Sequence, residues 1–396
     1  GTDIVYAGYG IEDAKYSDYS DVDVTGKVVL IYNGEPMKKG KFVITESEVA
    51  SDWTFDRTKK MELAKSKGAT GLIVVMEDFK KQFGRFKGFI MADRLSTPEQ
   101  LPQEKFPIFY VDSEKVNTFF KLDEKAAKKA LKRRTKGKEY SSTLECEVNI
   151  SLAEKKNVLG TENVLAFIEG TDLKEEILVI SSHYDHIGIT NGEINNGADD
   201  DGSGTVSVLE LAQAFSEAKK AGKGPRRSIL FMNFTGEEKG LLGSDYYSSN
   251  PVYPLENTVA DLNIDMIGRR DKQHENDPRY VYIIGSDKLS SDLHNWSEKA
   301  NTDNVKIALD YTYNDPKDPN RFYYRSDHYN FAKHNIPVIF YFTGVHEDYH
   351  KPTDTVEKIE FNKMEEIVKL VFHTAWKIAN SDTKPVVDKV NDFEAK

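Results

Sequence analysis

A chain of 396 residues is large for one domain and comfortable for two, and either arrangement can bury a substantial core. Its formal net charge of -11 excludes a protein built to neutralise phosphate backbones, so nucleic acid is not an expected partner, and no uninterrupted apolar stretch reaches membrane-spanning length. The single cysteine, Cys146, excludes an internal disulfide framework and a cysteine-rich zinc finger, so any metal must be held by His, Asp and Glu.

The chain reads in two halves that divide near residue 155, followed by a tail over 381–396 without periodicity. In the first half, "DIVYAGYG", "KVVLIYNG", "GLIVVMED" and "FPIFYVD" read as short strands separated by Gly, Asp and Lys clusters suited to turns. Between them "TKKMELAKSKGA" reads as a helix, with Met61, Ala64 and Ala69 near one face and Gly68 as its stop. The first 155 residues therefore form a small β-rich α/β module. The following "LDEKAAKKALKRRTKGKEY" has strong helix formers and a dense basic face, which reads first as a solvated surface and only second as an anion-binding patch.

Residues 156–380 alternate strands and helices more regularly. "EILVISSH" and "SILFMNFTG" are near-continuous apolar runs, as expected of strands buried on both faces of a largely parallel sheet. The intervening "SGTVSVLELAQAFSEAKKAG" places Val206, Leu209, Ala212 and Phe215 on one expected face and stops at Gly222, Gly224 and Pro225, completing a βαβ unit. Further strands are expected at "YVYIIG" and "IPVIFYF", and "FNKMEEIVKLVFHTAWKIA" closes the domain as an amphipathic helix with Met364, Ile367, Val371 and Ile378 inward. The fold class is α/β: a mostly parallel central sheet flanked by helices, preceded by the smaller module.

Acids and histidines fall at the ends of these strands. His183 and Asp185 follow one; Glu237 and Glu238, in "FTGEEKG", follow the next. "NNGADDDGSGT" precedes a helix, "LNIDMIGR" sets Asp265 in an apolar run, and "HEDYHKPTDT" follows the strand "IPVIFYF". Ligands of open α/β sheets bind outside the carboxyl ends of strands, where loops converge on a rigid support. Singly, each segment has an ordinary explanation. Asp199 to Asp201 could be a helix N-cap cluster, Glu237 and Glu238 a solvated turn, and Tyr349 with His350 an unremarkable loop pair. Asp265 is harder to dismiss, because a carboxylate between Ile264 and Met266 is costly to bury without a partner or a metal. Together, adjacent carboxylates and separated histidines are what hard and borderline cations require.

The ordered set "HYDHIG", "NGADDDGSG", "FTGEEKGLLGSDYY", "LNIDMIGR", "RSDHYNFAKHNIPVIFYFTG" and "YHKPTDT" closely resembles the co-catalytic zinc aminopeptidases, relatives of glutamate carboxypeptidase and the transferrin receptor. The first half resembles, more loosely, the protease-associated domain that many of them carry. The resemblance implies two zinc ions, one held by His183 and Asp265, the other by Glu238 and His350, with Asp200 bridging and Asp199 as the weaker alternative. It implies that Asp185 orients His183, that Glu237 is the general base, that Tyr349 supplies a phenol to the tetrahedral intermediate, and that the Asp200–Asp201 peptide is cis. Two zinc ions about 3.5–4 Å apart lower the pKa of a shared water and polarise a scissile carbonyl, so the ligand set suits hydrolysis.

The implied activity is removal of N-terminal residues from peptides with a free amine. A carboxypeptidase or another dimetal amidohydrolase is the alternative, the former needing arginines to receive a carboxylate, with Arg269, Arg270, Arg321 and Arg325 as candidates. A single-zinc glutaminyl cyclase is disfavoured by His183, and a non-catalytic binding protein by the intact ligand set. Related chains carry a further segment ahead of the protease-associated domain, so a truncated N-terminus is expected, as is a periplasmic or extracellular location. The first module is expected to lie over or beside the metal cleft and restrict access to short peptides.

Overall fold

The apolar runs of the first half become neighbouring strands of one sheet. The structure, a computed structural model, describes residues 2–81, 83–84, 87, 95–97, 106–116, 129, 132–133, 136–138, 141–148 and 157–391. Strands β1 (Thr2–Ala7), β2 (Val28–Tyr32), β3 (Gly71–Met76), β4 (Ile108–Asp112) and β5 (Ser141–Val148) lie in the order β4-β3-β2-β1-β5. Their pairings are parallel except β1 with β5. Helix α1 (Arg57–Ser66) starts at Asp56, whose carboxylate accepts the N–H groups of Thr58 and Lys59, and stops before Gly68, where φ of 83° suits a residue without Cβ. Ala64 of α1 packs against Val5, Val29, Leu72 and Val74. The basic segment at 122–140 lies mostly outside the described residues.

The chain divides after Asn157 into two compact units. In the second, β6 (Val164–Ile168), β7 (Leu173–His183), β8 (Arg227–Phe234), β9 (Thr258–Ile264), β10 (Tyr280–Ile284), β11 (Ala308–Asp310) and β12 (Val338–Phe342) form a sheet in the order β6-β8-β7-β9-β12-β10-β11. β8, β7, β9 and β12 are parallel; β6 is antiparallel to β8, and β10 to β12. β8, β9 and β12 are buried along their whole length because side chains on both faces meet a core, which is why β8 and β12 read as near-continuous apolar runs. Alternation along each strand separates the two cores. Leu178, Ile180, Ile229 and Phe231 face one, with helices α2 (Gly202–Lys220) and α4 (Phe361–Asn380), whereas Val179, Leu230 and Met232 face the other, with Tyr280, Tyr282 and Phe331. Helix α3 (Ser291–Ala300) joins the first core through Leu293. Among the described residues, no helix is long and apolar enough to cross a membrane.

Helix α4 turns Met364, Ile367, Val371 and Ile378 inward as its pattern indicates. The expected face of α2 is corrected. Val206 and Leu209 are 50% and 57% exposed, and the buried stripe runs through Ser207, Val208, Leu211 and Phe215. Steps of three residues fall about 60° short of a full turn and drift around the helix, whereas the stripe that meets the sheet alternates steps of three and four. Strands β6 and β11 do not stand out in the sequence: one is half exposed and the other is three residues long.

The corrected phase has a direct test. Phe215→Ala empties a site in the core between α2, α4 and the sheet and should cost ~3–5 kcal/mol in chemical denaturation, while Leu209→Ala should stay within ~0.5 kcal/mol. Equal losses would place the wrong face of α2 inward.

Candidate metal centre

Four parallel strands and one helix deliver the polar side chains to a single edge of the second sheet. His183 is the last residue of β7, Asp265 follows β9, and Glu237 and Glu238 stand in a 3-10 turn after β8. Tyr349 and His350 lie in the loop after β12. Asp265 therefore stands at a strand end, one residue past β9, where its N–H still donates to the Tyr341 carbonyl at 3.2 Å.

The acidic triple splits into three different jobs. Asp201 is the N-cap of α2: its Oδ1 accepts N–H groups from Gly204 and Met266 at 2.9 and 3.1 Å, and its Oδ2 accepts from His183 at 3.1 Å. One carboxylate so ties a helix start to the ends of β7 and β9. A Cβ at Gly204 would sit 2.4 Å from that carboxylate and 2.3 Å from the Ile264 carbonyl, so only glycine fits there. Asp199 turns away from the centre, its Oδ1 accepting from Gly268 N–H at 2.6 Å and its Oδ2 facing His346 Nε2 at 3.2 Å. Asp354 accepts the N–H groups of both Asp199 and Asp200 at 3.0 and 3.3 Å. Asp200 alone points inward, and the Asp200–Asp201 peptide is cis, as the family resemblance implies.

Two donor groups meet at Asp200. On one side, His183 Nε2 lies 3.4 Å from Asp200 Oδ1 and 3.7 Å from Asp265 Oδ1, with Glu237 Oε2 at 3.9 Å. On the other, His350 Nε2 is 3.1 Å from both Asp200 Oδ2 and Glu238 Oε1. His186, which the sequence reading left without a role, places Nδ1 3.0 Å from Glu238 Oε1 and 3.9 Å from Asp200 Oδ2. His183 Nε2, Asp200 Oδ2, Glu238 Oε1, His350 Nε2 and both ring nitrogens of His186 are buried without a hydrogen-bond partner. Native proteins rarely leave buried polar atoms unmatched, and such a cluster of lone pairs fits a cation of the zinc class.

The charges describe the same need. Burial works against a charged His183, but the nearby carboxylates of Asp185, Asp200 and Asp265 outweigh it and raise its pKa well above the usual value. His350 is raised to about 9 by the carboxylates of Asp200 and Glu238 beside it. Burial raises Glu237 well above the carboxylate range, and the neighbouring Asp265 and Asp327 add to the rise against the attraction of His183. Glu238 moves the other way, because the imidazoles of His186 and His350 beside it overcome its burial. Adjacent glutamates thus have opposite environments.

Supporting residues fix these positions. Asp185 accepts the N–H groups of Glu237 and Glu238 at 3.0 and 3.3 Å; its own carbonyl lies 3.1 Å from His183 Nδ1, closer than its carboxylate at 3.7 Å. Ser326 donates to Asp265 Oδ2 at 2.7 Å and accepts from Asn263 at 2.9 Å, continuing the brace into β9. Tyr349 stacks on His350, and its hydroxyl lies 3.5 Å from Arg325 Nη2. Asp200, Glu237, Glu238 and Asp265 share a pocket with Met266, Phe322, Phe340, Phe342, Val345, Tyr349 and Arg325. The other candidate arginines are engaged elsewhere: Arg269 with Glu347 and Asp348, Arg270 with Glu360, and Arg321 over the Tyr324 ring.

Carboxylates and imidazoles gathered beyond the ends of parallel strands define a metallohydrolase-like α/β domain. The sequence model of Peptidase family M28 matches residues 163–375, more than half of the 396-residue chain, and the chain belongs to that family. A PA domain matches residues 2–118. The chain is 33% identical over 225 residues to a probable leucine aminopeptidase of Arthroderma otae, covering 55% of this chain and 57% of that protein. It is 32% identical over 119 residues to a probable glutamate carboxypeptidase of Arabidopsis thaliana, covering 30% of this chain and 16% of that one. Among solved structures, a zinc aminopeptidase from Bacillus subtilis is similar at 19% identity and a TM-score of 0.47, covering 99% of this chain and 78% of that one. The chain therefore spans little more than half the length of the leucine aminopeptidase that it matches.

A pH dependence follows from the raised histidines. A metal takes neutral imidazole, and His350 of the metal-free protein is protonated below about 9, so binding must expel its proton at neutral pH. Affinity for Zn²⁺ should rise with pH up to about 9, by up to ~tenfold per unit for each proton displaced. Calorimetry at pH ~7 in buffers of different ionisation heat should detect at least one proton released. Buffer-independent heats would show that His350 is already neutral.

Proposed function

We propose that the chain is a dinuclear zinc aminopeptidase that hydrolyses N-terminal residues from peptides with a free amine. The observation that carries this reading is the pair of donor groups sharing Asp200, with a carboxylate of raised pKa, Glu237, beside one of them. His183, Asp265 and Asp200 would hold one ion, and Glu238, His350 and the other oxygen of Asp200 the second. Bound zinc supplies Lewis acidity toward the scissile carbonyl and toward the attacking water.

The protein's own groups do the rest. Burial raises Glu237 well above the usual carboxylate range, and a more basic carboxylate is better able to take a proton from water at Oε2 and return it to the leaving nitrogen. Asp185 fixes the turn that aims it, through the Glu237 and Glu238 N–H groups. Burial raises the Tyr349 phenol, so it stays protonated and can donate to the carbonyl oxygen as charge develops there. Met266, Phe322, Phe340, Phe342 and Val345 offer an apolar wall to the N-terminal side chain, consistent with the leucine aminopeptidase names of relatives. The acids of the centre would hold the free α-amine. A carboxylate-releasing activity is less well supported, because three of the four candidate arginines are occupied away from this pocket.

Glu237 and Glu238 separate this reading from a solvated acidic turn. Glu238→Ala should lower zinc content together with activity. Glu237→Gln should keep both ions and lose ~10²–10⁴-fold in kcat, measured on a leucyl peptide with a free amine. A fully active Glu237→Gln protein removes the proposed base. Equal turnover of free and N-blocked peptides would replace the aminopeptidase assignment with another amidohydrolase.

A further inference from the structure

We propose that His186 is a direct metal ligand, which closes the Glu238–His350 side of the centre with four protein donors and makes the two metal positions fill in a fixed order. This rests on the dinuclear reading above and goes beyond it. Three side chains, His183, Asp200 and Asp265, face one position, and Glu237 stands beside them at 3.9 Å without joining. The other position is faced by Asp200 Oδ2, Glu238 Oε1, His350 Nε2 and His186 Nδ1. His350 Nε2 lies 3.1 Å from both Asp200 Oδ2 and Glu238 Oε1, and His186 Nδ1 lies 3.0 Å from Glu238 Oε1 and 3.9 Å from Asp200 Oδ2. Ligand atoms about 2.0–2.1 Å from a tetrahedral zinc stand ~3.3 Å apart, so three of these separations are close to the spacing that one ion needs, and donor atoms of His186, Asp200 and Glu238 all lie within 4.8 Å of one another.

His186 has no other employment. Both ring nitrogens are buried without a well-directed hydrogen bond, although Nδ1 stands 3.0 Å from Glu238 Oε1, a costly arrangement for a side chain that is only 11% exposed. The backbone makes room for it on purpose-fitting terms: Gly197 has φ of 64°, and a Cβ there would lie 2.6 Å from the His186 ring. The ring stands edge-on to that of His350, with centroids 5.6 Å apart, so two imidazoles approach the same carboxylate pair from different directions.

Coordination chemistry then makes the positions unequal. A zinc with four protein ligands is saturated, as in structural sites, whereas a three-ligand position keeps an opening for substrate or water. The opening lies beside Glu237, so the His183 position is the one that faces the reaction. The closed position should bind first and release last. The alternative is that His186 only donates a hydrogen bond to Glu238, which would orient a ligand without contributing one.

The test uses the whole chain freed of metal and titrated with Co²⁺ and Zn²⁺. One equivalent of Co²⁺ should give the intense visible absorption of a four-coordinate ion, and X-ray absorption of the one-equivalent Zn²⁺ protein should count two imidazoles. His186→Ala should weaken the first binding step by more than ~100-fold in chelator competition, beyond the ~10–100-fold that losing a supporting hydrogen bond costs, and abolish the four-coordinate cobalt spectrum. His183→Ala should leave the first step intact and remove the second. One imidazole at one equivalent, or a His186→Ala protein with an unchanged cobalt spectrum, overturns the proposal. If His186→Ala does not fold, the imidazole count in the unmodified chain decides alone. Failure to bind any divalent ion would instead sink the metalloenzyme reading itself.

Discussion

The burial of negative charge beneath one edge of the second sheet is the constraint to which the surrounding structure answers. Asp199, Asp200, Asp201, Asp261, Asp265 and Asp327 are all buried there, and a carboxylate out of water is strongly unfavourable unless neutralised or bonded. Different solutions are used side by side. Asp201 and Asp199 take backbone N–H groups from the ends of the strands they join. Asp261 and Asp327 are pushed up by burial, the latter to about 7, which favours the uncharged form of each. Asp200 remains ionised because imidazoles on both sides draw its pKa down against its burial. A cation is the group that satisfies what these devices leave over.

The same constraint explains why two neighbouring glutamates differ. Gly236, at φ of 67°, starts the 3-10 turn after β8, and the Asp185 carboxylate holds the N–H groups of Glu237 and Glu238 together. With both amides fixed, successive side chains leave the turn in different directions. Glu238 meets two imidazoles and is held as an anion; Glu237 enters a buried volume shared with Asp265 and Asp327 and is raised. A single acid could not be a strong ligand and a proton acceptor near neutral pH at once, because the first task lowers its pKa and the second requires it raised.

Much of this was legible in the sequence where one residue type meets one physical demand. The near-continuous apolar runs at β7, β8 and β12 are visible because burial on both faces leaves few polar positions; His183 and His350 could be placed because each follows such a run, and Asp265 because it is an acid in the short stretch "LNIDMIG". The phase of α2 was not legible from four apolar residues at steps of three, because Val206 and Leu209 are apolar and yet face solvent. Within "ADDDG" the residue types are identical, and only the bonds made by Asp199 and Asp201 to Gly268, His183 and Met266 tell them apart. His186 could have been noticed from its spacing: it follows His183 by three positions in a loop that must turn sharply at the strand end.

That spacing has a consequence at the level of the sheet. β7 lies between β8 and β9, and its carboxyl end supplies an imidazole to each side. His183 leans toward Asp265 from β9, and His186 toward Glu238 from β8, with the two oxygens of Asp200 standing between them. Up to this point the centre is nearly symmetric about β7. Two residues break the symmetry. The loop after β12 brings His350 to the β8 side, and the turn after β8 sends Glu237 to the β9 side. One side thereby gains an imidazole while the other gains a carboxylate whose pKa burial has raised, so the two sides of Asp200 differ in charge as well as in composition.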